Sequence, residues 1–258
     1  LRTADMTVAQ VAALLDNMDA PAKLIDDLRS DKRISIIKLV AKWHKRQQEL
    51  LAEKKRLLQM YRYEENYRQK GFTVIAGVDE AGRGPLAGPV VVGAVILPHD
   101  CFLPHLNDSK QLSARQREVL YKEIKEIAIA VHYCVMDREV IDQLNIYQAT
   151  VSAMYRVLEE LETTPQAVLI DAVPLPKLKV PSLSIVGGDA ASASIAAASI
   201  IAKVERDRIM NEMDELYPVY GFAKHKGYAT REHIQALQKY GPCPIHRKSF
   251  EPIKSWGG

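Results

Sequence analysis

At Phe72 the pattern of the chain changes. The 70 residues that open it contain no glycine and one proline, Pro21, and their apolar positions recur every three or four residues. A stretch so poor in turn residues reads as helices. From Phe72 onward, short apolar runs are separated by glycine- and proline-bearing turns and by longer stretches of helical spacing, the pattern of an α/β domain. The sequence thus predicts a helical N-terminal extension over residues 1–70 and an α/β domain over 71–258; 258 residues suffice for one such domain and an appendage.

Within the extension, Thr7 and Gln10 have the spacing of a capping box, followed by Val8, Val11, Leu15 and Met18 on one face. Pro21 opens a short second helix. A longer one runs from Ser35 through Ile36, Val40, Trp43, Leu50, Leu57 and Tyr61, and Gly71 is its stop signal. Residues 1–70 carry 15 Lys+Arg against 10 Asp+Glu, whereas residues 71–258 carry 20 against 22. A positive appendage on a near-neutral body is what an added nucleic-acid contact looks like, although solvated charged helices give the same count. The apolar run from Val90 to Leu97 is too short to span a bilayer, and the chain does not open on the basic-then-apolar order of a signal peptide, so a cytoplasmic protein is expected. Cys101, Cys134 and Cys243 are far apart and lack metal-ligand spacing.

In the α/β domain, "FTVIAGVD" and "VVVGAVIL" flank a Gly/Pro turn and predict a hairpin. "AVHYCVM", "AVLID" and "LSIV" read as further strands. Helices are expected over "SARQREVLYKEIKEIAI", capped by Ser113, over "NIYQATVSAMYRVLEELE", and from Thr230 to Tyr240. "ASASIAAASIIAKVERDRIMNEMDELY" is a long helix whose small residues let it lie close against the sheet.

The chemistry centres on Asp79 and Glu80. Neighbouring side chains on a strand point to opposite faces, so a shared site requires the strand to end there, with Gly82 and Gly84 making the turn. Asp171 repeats the placement at the end of "AVLI", where active sites of open α/β sheets lie. Asp207 sits on the long helix, eight and four residues beyond Ser199 and Lys203, facing roughly their side. Four carboxylates without soft ligands suit Mg²⁺ or Mn²⁺ and phosphoryl transfer. Each acid alone reads equally well as a cap or an ion-pair partner. Asp189, in "GGD" ahead of the long helix, is a rival for the fourth place and also a natural helix cap. "GRGPLA" matches a dinucleotide-binding variant GxGxxA, but Pro85 and the β-rich run after it do not continue as a helix.

Taken together, "GVDEAGRGPLAGPVVVGAVIL", "NDSKQLS", "VLIDA", "GDAASASIAAASIIAKVERDRIM", "HKGYAT" and "PIHRKSFEP" closely resemble the prokaryotic ribonuclease HII family from about Phe72 to Pro252. Arg83 in "GRG" favours that family over its sister, ribonuclease HIII, which usually carries a GTG-type turn. The resemblance implies a ribonuclease H-like fold, a mixed five-stranded sheet flanked by helices. It implies an endonuclease that cuts the RNA strand of RNA/DNA hybrids and cuts 5′ of ribonucleotides embedded in duplex DNA. Two divalent ions, Mg²⁺ or Mn²⁺, would be held by Asp79, Glu80, Asp171 and Asp207, giving 5′-phosphate and 3′-hydroxyl ends. The backbone of Gly82, Arg83 and Gly84 would grip the ribose 2′-hydroxyl, and Tyr228 would contact it and pack on the neighbouring deoxyribose. Asn107, Ser109, Lys110 and Ser192 would contact phosphates, and the protein would act as a monomer. Gly187 stands where many members have a basic residue. His225 and His246 read as structural histidines or as aids to proton transfer. Other readings are a resolvase on the same fold, which needs no 2′-hydroxyl sensor, and a hybrid-binding protein with a dead site.

Overall fold

In a computed structural model of the protein, which describes residues 3–16 and 20–256, the chain forms two compact units, Leu1–Arg56 and Leu57–Gly258. The expected place of Met18 lies outside the described residues. The first unit holds α1 (Val8–Asp16), α2 (Ala22–Arg29) and most of α3 (Ile34–Met60). The box at its start is made: Gln10 N–H donates to Thr7 Oγ1 at 3.2 Å, and Thr7 N–H to Gln10 Oε1 at 2.9 Å. Val11, Leu15, Ile25, Leu28, Ile36 and Val40 form its core.

The boundary falls at residue 56, ahead of the helical exit at Gly71. The reason is packing: Leu57 and Met60 are buried among residues of the second unit, and α4 (Arg62–Gln69) belongs there as well. Glu64 on α4 is fully buried, and its Oε1 accepts from Ser192 Oγ at 2.7 Å and from Ser194 N–H at 2.8 Å.

The second unit is built on a mixed five-stranded sheet of order β3-β2-β1-β4-β5, from β1 (Ile75–Ala81), β2 (Val90–Ile96), β3 (Ala130–Met136), β4 (Ala167–Asp171) and β5 (Ser182–Ile185). β1 and β2 form the expected antiparallel hairpin, whereas β4 runs parallel to β1 and β5 parallel to β4. Because the chain leaves the turn into β2 and not into a helix, the dinucleotide-binding reading is excluded.

Helices cover both faces. The remaining helices, in chain order, are α5 (Ala114–Ile127), α6 (Arg138–Leu144), α7 (Ile146–Glu159), α8 (Gly188–Ala191), α9 (Ala193–Leu216), α10 (Phe222–His225), α11 (Arg231–Tyr240) and α12 (Ile253–Trp256). On one face, α7 residues Ala149, Ala153, Met154 and Val157 pack on Ala76, Val78, Val92 and Val168. On the other, α9 lies directly on the sheet. A Cβ on Gly77 would come within 2.1 Å of the Ser194 backbone, and one on Gly93 within 2.5 Å of the Ala198 carbonyl. Small residues on α9 and glycines on the strands thus set the spacing together. Among the described residues no helix is long and apolar enough to cross a membrane.

Candidate active site

β1 does not end at its acidic pair. Pairing with β2 continues through Asp79↔Gly93 and Glu80↔Val92 to Ala81↔Val91, while β4 stops at Asp171. The expected strand end is therefore corrected: the hairpin carries β1 past its parallel neighbour. Asp79 and Asp171, each one residue beyond the paired Val78 and Ile170, lie on the face covered by α9, with Ser199 near Asp79. Glu80 starts on the opposite face, but beyond the end of β4 nothing separates the faces, and its carboxylate reaches the same hollow. That hollow, about 450 Å³, is lined by Asp79, Glu80, Asp171, the Gly82–Arg83–Gly84 turn and Tyr228, together with Ser109, Lys110, Arg117, Lys203 and Arg206.

The electrostatics are those of crowded, dry carboxylates. Burial, then the charges of Glu80 and Asp171, push the Asp79 carboxyl well above the usual range, against hydrogen bonds from Ser199 and the Glu80 N–H. Burial also raises Glu80, opposed by the Arg83 guanidinium 3.2 Å away. It raises Asp171 too; there the Gly188 N–H, at 2.7 Å, pulls the other way and the charge of Asp189 adds to the rise.

One oxygen of each acid is engaged: Asp79 Oδ1 with the Glu80 N–H, Glu80 Oε1 with Arg83, Asp171 Oδ1 with Gly188. With the side chains so held, no three Asp, Glu, His or Cys groups among the described residues converge on one point. Asp79 Oδ2 and Glu80 Oε2, however, are buried with no hydrogen-bond partner. Unpartnered, desolvated oxygens on two carboxylates that line one hollow fit a hard divalent cation, which would remove the repulsion that raises their pKa values.

Asp207 is not brought to this cluster. It pairs with Lys203 Nζ at 2.6 Å and Arg117 at 3.7 Å and lines a neighbouring groove with Arg208, Asn211 and Lys226. Asp189 does not line the hollow either, but it is buried, lies 3.0 Å from Lys110 Nζ and, ahead of Asp108, adds to the rise of Asp171. Lys110 is held above its ordinary pKa: burial opposes its charge, but Asp189, Asp108 and Asp79 outweigh it.

The expected phosphate contacts divide in the same way. Ser109 and Lys110 line the hollow, Ser109 Oγ lying 2.8 Å from Ser199 Oγ. Asn107 lies outside its walls, bonded to Gln111 and to the Asp108 N–H. Ser192 is fully buried; its hydroxyl donates to Glu64 and caps α9 at the Ile195 N–H, so it has no bond left for a phosphate.

Two buried arginines shape the turn that carries Gly82, Arg83 and Gly84. Arg247 donates to the carbonyls of Gly88 at 3.0 Å, Arg83 at 2.9 Å and Gly82 at 2.6 Å. Arg206 donates to those of Pro89, Ala87 and Lys226 at 3.0, 3.2 and 3.0 Å. Burial lowers their pKa values, to about 9 and about 10, which leaves both charged at neutral pH. Gly82 has φ +97°, and a Cβ there would sit 2.0 Å from Arg206 Nε, so only glycine fits. With the Gly82 and Arg83 carbonyls held by Arg247, the turn lines the hollow. Tyr228 is 46% exposed, which excludes a core role, and a Cβ on Gly84 would lie 3.7 Å from its ring.

Comparison with known proteins decides the family. The model of "Ribonuclease HII" matches residues 76–253, and that of "Ribonuclease HII N-terminal domain" matches 7–68. The chain belongs to the ribonuclease HII family. It is 52% identical to "Ribonuclease HII" of Bacillus cereus (strain AH820) over 88% of each chain. With "Ribonuclease HII" of Bacillus mycoides (strain KBAB4) it shares 48% identity over 96% of this chain and 97% of the other. The crystal structure of ribonuclease H2 from Pyrococcus horikoshii OT3 superposes with a TM-score of 0.61 at 27% identity, over 70% of this chain and 95% of that one. The fold is therefore ribonuclease H-like, and the protein is a ribonuclease H endonuclease of a family that acts on RNA/DNA hybrids and depends on divalent metal ions.

Proposed function

We propose that the protein acts in the cytoplasm, cutting the RNA strand of hybrids and the 5′ side of ribonucleotides embedded in duplex DNA. Asp79, Glu80 and Asp171 would hold the metal, with Asp189 in preference to Asp207 as the fourth acid. The observation that carries this is the pair of orphaned oxygens on Asp79 and Glu80 beside a turn whose Gly82 and Arg83 carbonyls are held by the buried Arg247. When bound, two divalent ions supply an activated water and stabilisation of the leaving 3′ oxygen.

The chain's own residues supply selection and position. The 2′-hydroxyl distinguishes RNA from DNA at a site. The Gly82–Arg83–Gly84 turn and Tyr228 line the same hollow as the carboxylates, so a ribose gripped by the turn's N–H groups and the Tyr228 hydroxyl would set its phosphate against the acids. Ser109 and Lys110 hold phosphate from the other wall, fixing register without reading sequence.

Cleavage of a uniform RNA/DNA hybrid with Mg²⁺ or Mn²⁺ tests the reading. Activity should vanish with EDTA, and Tyr228→Phe should cost about 3- to 10-fold, the worth of one neutral hydrogen bond. EDTA-resistant cutting, or a Tyr228→Phe variant equal to the parent, contradicts it. The choice of fourth acid has its own readout. Mn²⁺ should raise the melting temperature of the parent and of Asp207→Asn, but much less that of Asp189→Asn; the reverse pattern returns Asp207 to the metal site.

The basic first unit is assigned to added contact with the nucleic-acid backbone. Removing residues 1–56 leaves Leu57, Met60 and Glu64 in place, so the remainder should melt cooperatively. The Michaelis constant should rise, and its salt dependence should weaken by ~0.9 in log–log slope for each phosphate the shortened chain no longer neutralises, on B-form DNA. An unchanged slope removes that role.

A further inference from the structure

Three histidines unused by this chemistry lie buried behind Tyr228. His233 and His246 are 0% and 1% exposed and His225 is 8% exposed. The His225 and His233 rings stack at 4.5 Å, and the His233 and His246 rings are 5.2 Å apart. Their partners fix which nitrogen carries each proton. His233 Nδ1 faces the Tyr228 carbonyl at 2.9 Å, so it must be the N–H, which leaves Nε2 as an acceptor. That Nε2 lies 3.0 Å from His246 Nε2, which must therefore donate. His246 Nδ1 is then the acceptor, and it takes the Cys243 N–H at 2.9 Å. His225 is ordered by the same logic, accepting from Gly227 N–H at Nδ1 and donating from Nε2 to the Tyr220 carbonyl. With His233 and His246 neutral, each of their ring protons has one place in this order.

The chain joins the two sides of the ribose site. His246 pairs by its backbone with Ala87, and its neighbours extend the pairing: Gly88 N–H donates to the Ile245 carbonyl at 2.9 Å and Arg247 N–H to that of Leu86 at 2.8 Å. One end is thus fixed to the loop that follows the glycine–arginine turn, and the other grips the backbone of Tyr228. Burial pushes His233 and His246 down to about 4, in keeping with neutral rings.

We propose that His233 and His246 are positioning residues: their ordered pair of imidazoles fixes Tyr228 at a set distance from the Gly82–Arg83–Gly84 turn, and so sets how well the enzyme reads the 2′-hydroxyl. This rests on the reading of Tyr228 as a ribose contact.

The test is a double-mutant cycle on the full chain, cleaving a DNA duplex that contains one ribonucleotide, with kcat and KM determined separately. His233→Phe keeps a ring in the stack but loses both bonds, and His233→Asn restores the donor toward the Tyr228 carbonyl. With Tyr228 present, His233→Phe should lower kcat by about 3- to 10-fold, the same order as losing the Tyr228 hydroxyl contact itself. His233→Asn should recover most of it, and in a Tyr228→Ala background His233→Phe should cost nothing more. Equal losses in both backgrounds, or no loss in either, overturn the proposal while leaving the Tyr228 reading intact. If Tyr228→Ala itself changes nothing, the ribose reading falls and takes the proposal with it. Imidazole ¹⁵N spectra of the unmutated protein at pH 7 give a check independent of any variant's folding. Nδ1–H on His233 and Nε2–H on His246 are expected; opposite tautomers, or a charged ring, overturn the ordering.

Discussion

Asp79→Asn should abolish cleavage and at the same time stabilise the metal-free protein. Activity should fall roughly 100- to 1,000-fold or more, the scale of removing one partner to transition-state charge. Stability should rise, because the parent holds a buried carboxylate beside Glu80 and Asp171 with one oxygen unpartnered. Relieving such a group is worth about 1–3 kcal/mol, or roughly 2–4 °C per kcal/mol for a unit of this size. The pH dependence follows from linkage. The folded pKa of Asp79 is raised above its unfolded value, so its favourable contribution is present at low pH and lost as pH rises through the folded value. The gap between variant and parent should therefore widen from mildly acid to neutral pH. His233 and His246 act in the opposite direction, since their depressed values give stability that is present above the unfolded 6.5 and lost toward about 4. Comparing variant with parent cancels that part. Saturating Mn²⁺ should close the gap, because the ion compensates the charge in the parent alone. Melting curves across pH, with and without Mn²⁺, check all three; an Asp79→Asn variant less stable than the metal-free parent contradicts the account.

Arg247→Met should be the most damaging change that touches neither metal nor substrate. It leaves the carbonyls of Gly82, Arg83 and Gly88 without their donor inside the protein. At about 1–3 kcal/mol per unsatisfied group, and with water restoring some of it, the loss should be about 3–5 kcal/mol. Cleavage should fall by a larger factor than folding alone explains, because the turn loses the geometry that aims its N–H groups. Arg247→Lys should not rescue it, as one ammonium cannot span three carbonyls. Denaturant melts with kcat and KM check this; a Lys variant with parental activity contradicts the role assigned to the guanidinium.

What the sequence conveyed depended on how far each signal reached along the chain. The hairpin, the strand ending in Asp171 and the close-packed helix were legible because the Gly/Pro turn, the short apolar run before Asp171 and the Ala/Ser run of α9 are all local signals. The continuation of β1 through Asp79 and Glu80 was not, since it depends on register with β2 across the turn. Asp207 was grouped with the other acids by helical spacing and by its place in the family-like motif. It shares a side with Ser199, but eight residues at about 1.5 Å each put it roughly 12 Å further along the axis, outside the hollow. Asp189 was legible both as a rival for the fourth place and as a helix cap, and one residue's spacing could not decide between them; the Gly188 N–H bound to Asp171 brings its segment beside the trio. Arg206 and Arg247 gave no local signal, because the carbonyls that Arg247 holds lie some 160 residues before it in the chain.

The central claim is that one hollow both reads a 2′-hydroxyl and positions the adjacent phosphate for hydrolysis. Its most direct test is mapping, at single-nucleotide resolution, the cut in an end-labelled DNA duplex that contains one ribonucleotide, with Mn²⁺ present. The expected result is a single break on the 5′ side of the ribonucleotide, leaving 5′-phosphate and 3′-hydroxyl ends, absent from the all-DNA duplex and lost with Asp79→Asn. A break elsewhere, or equal cutting of the all-DNA duplex, would contradict it.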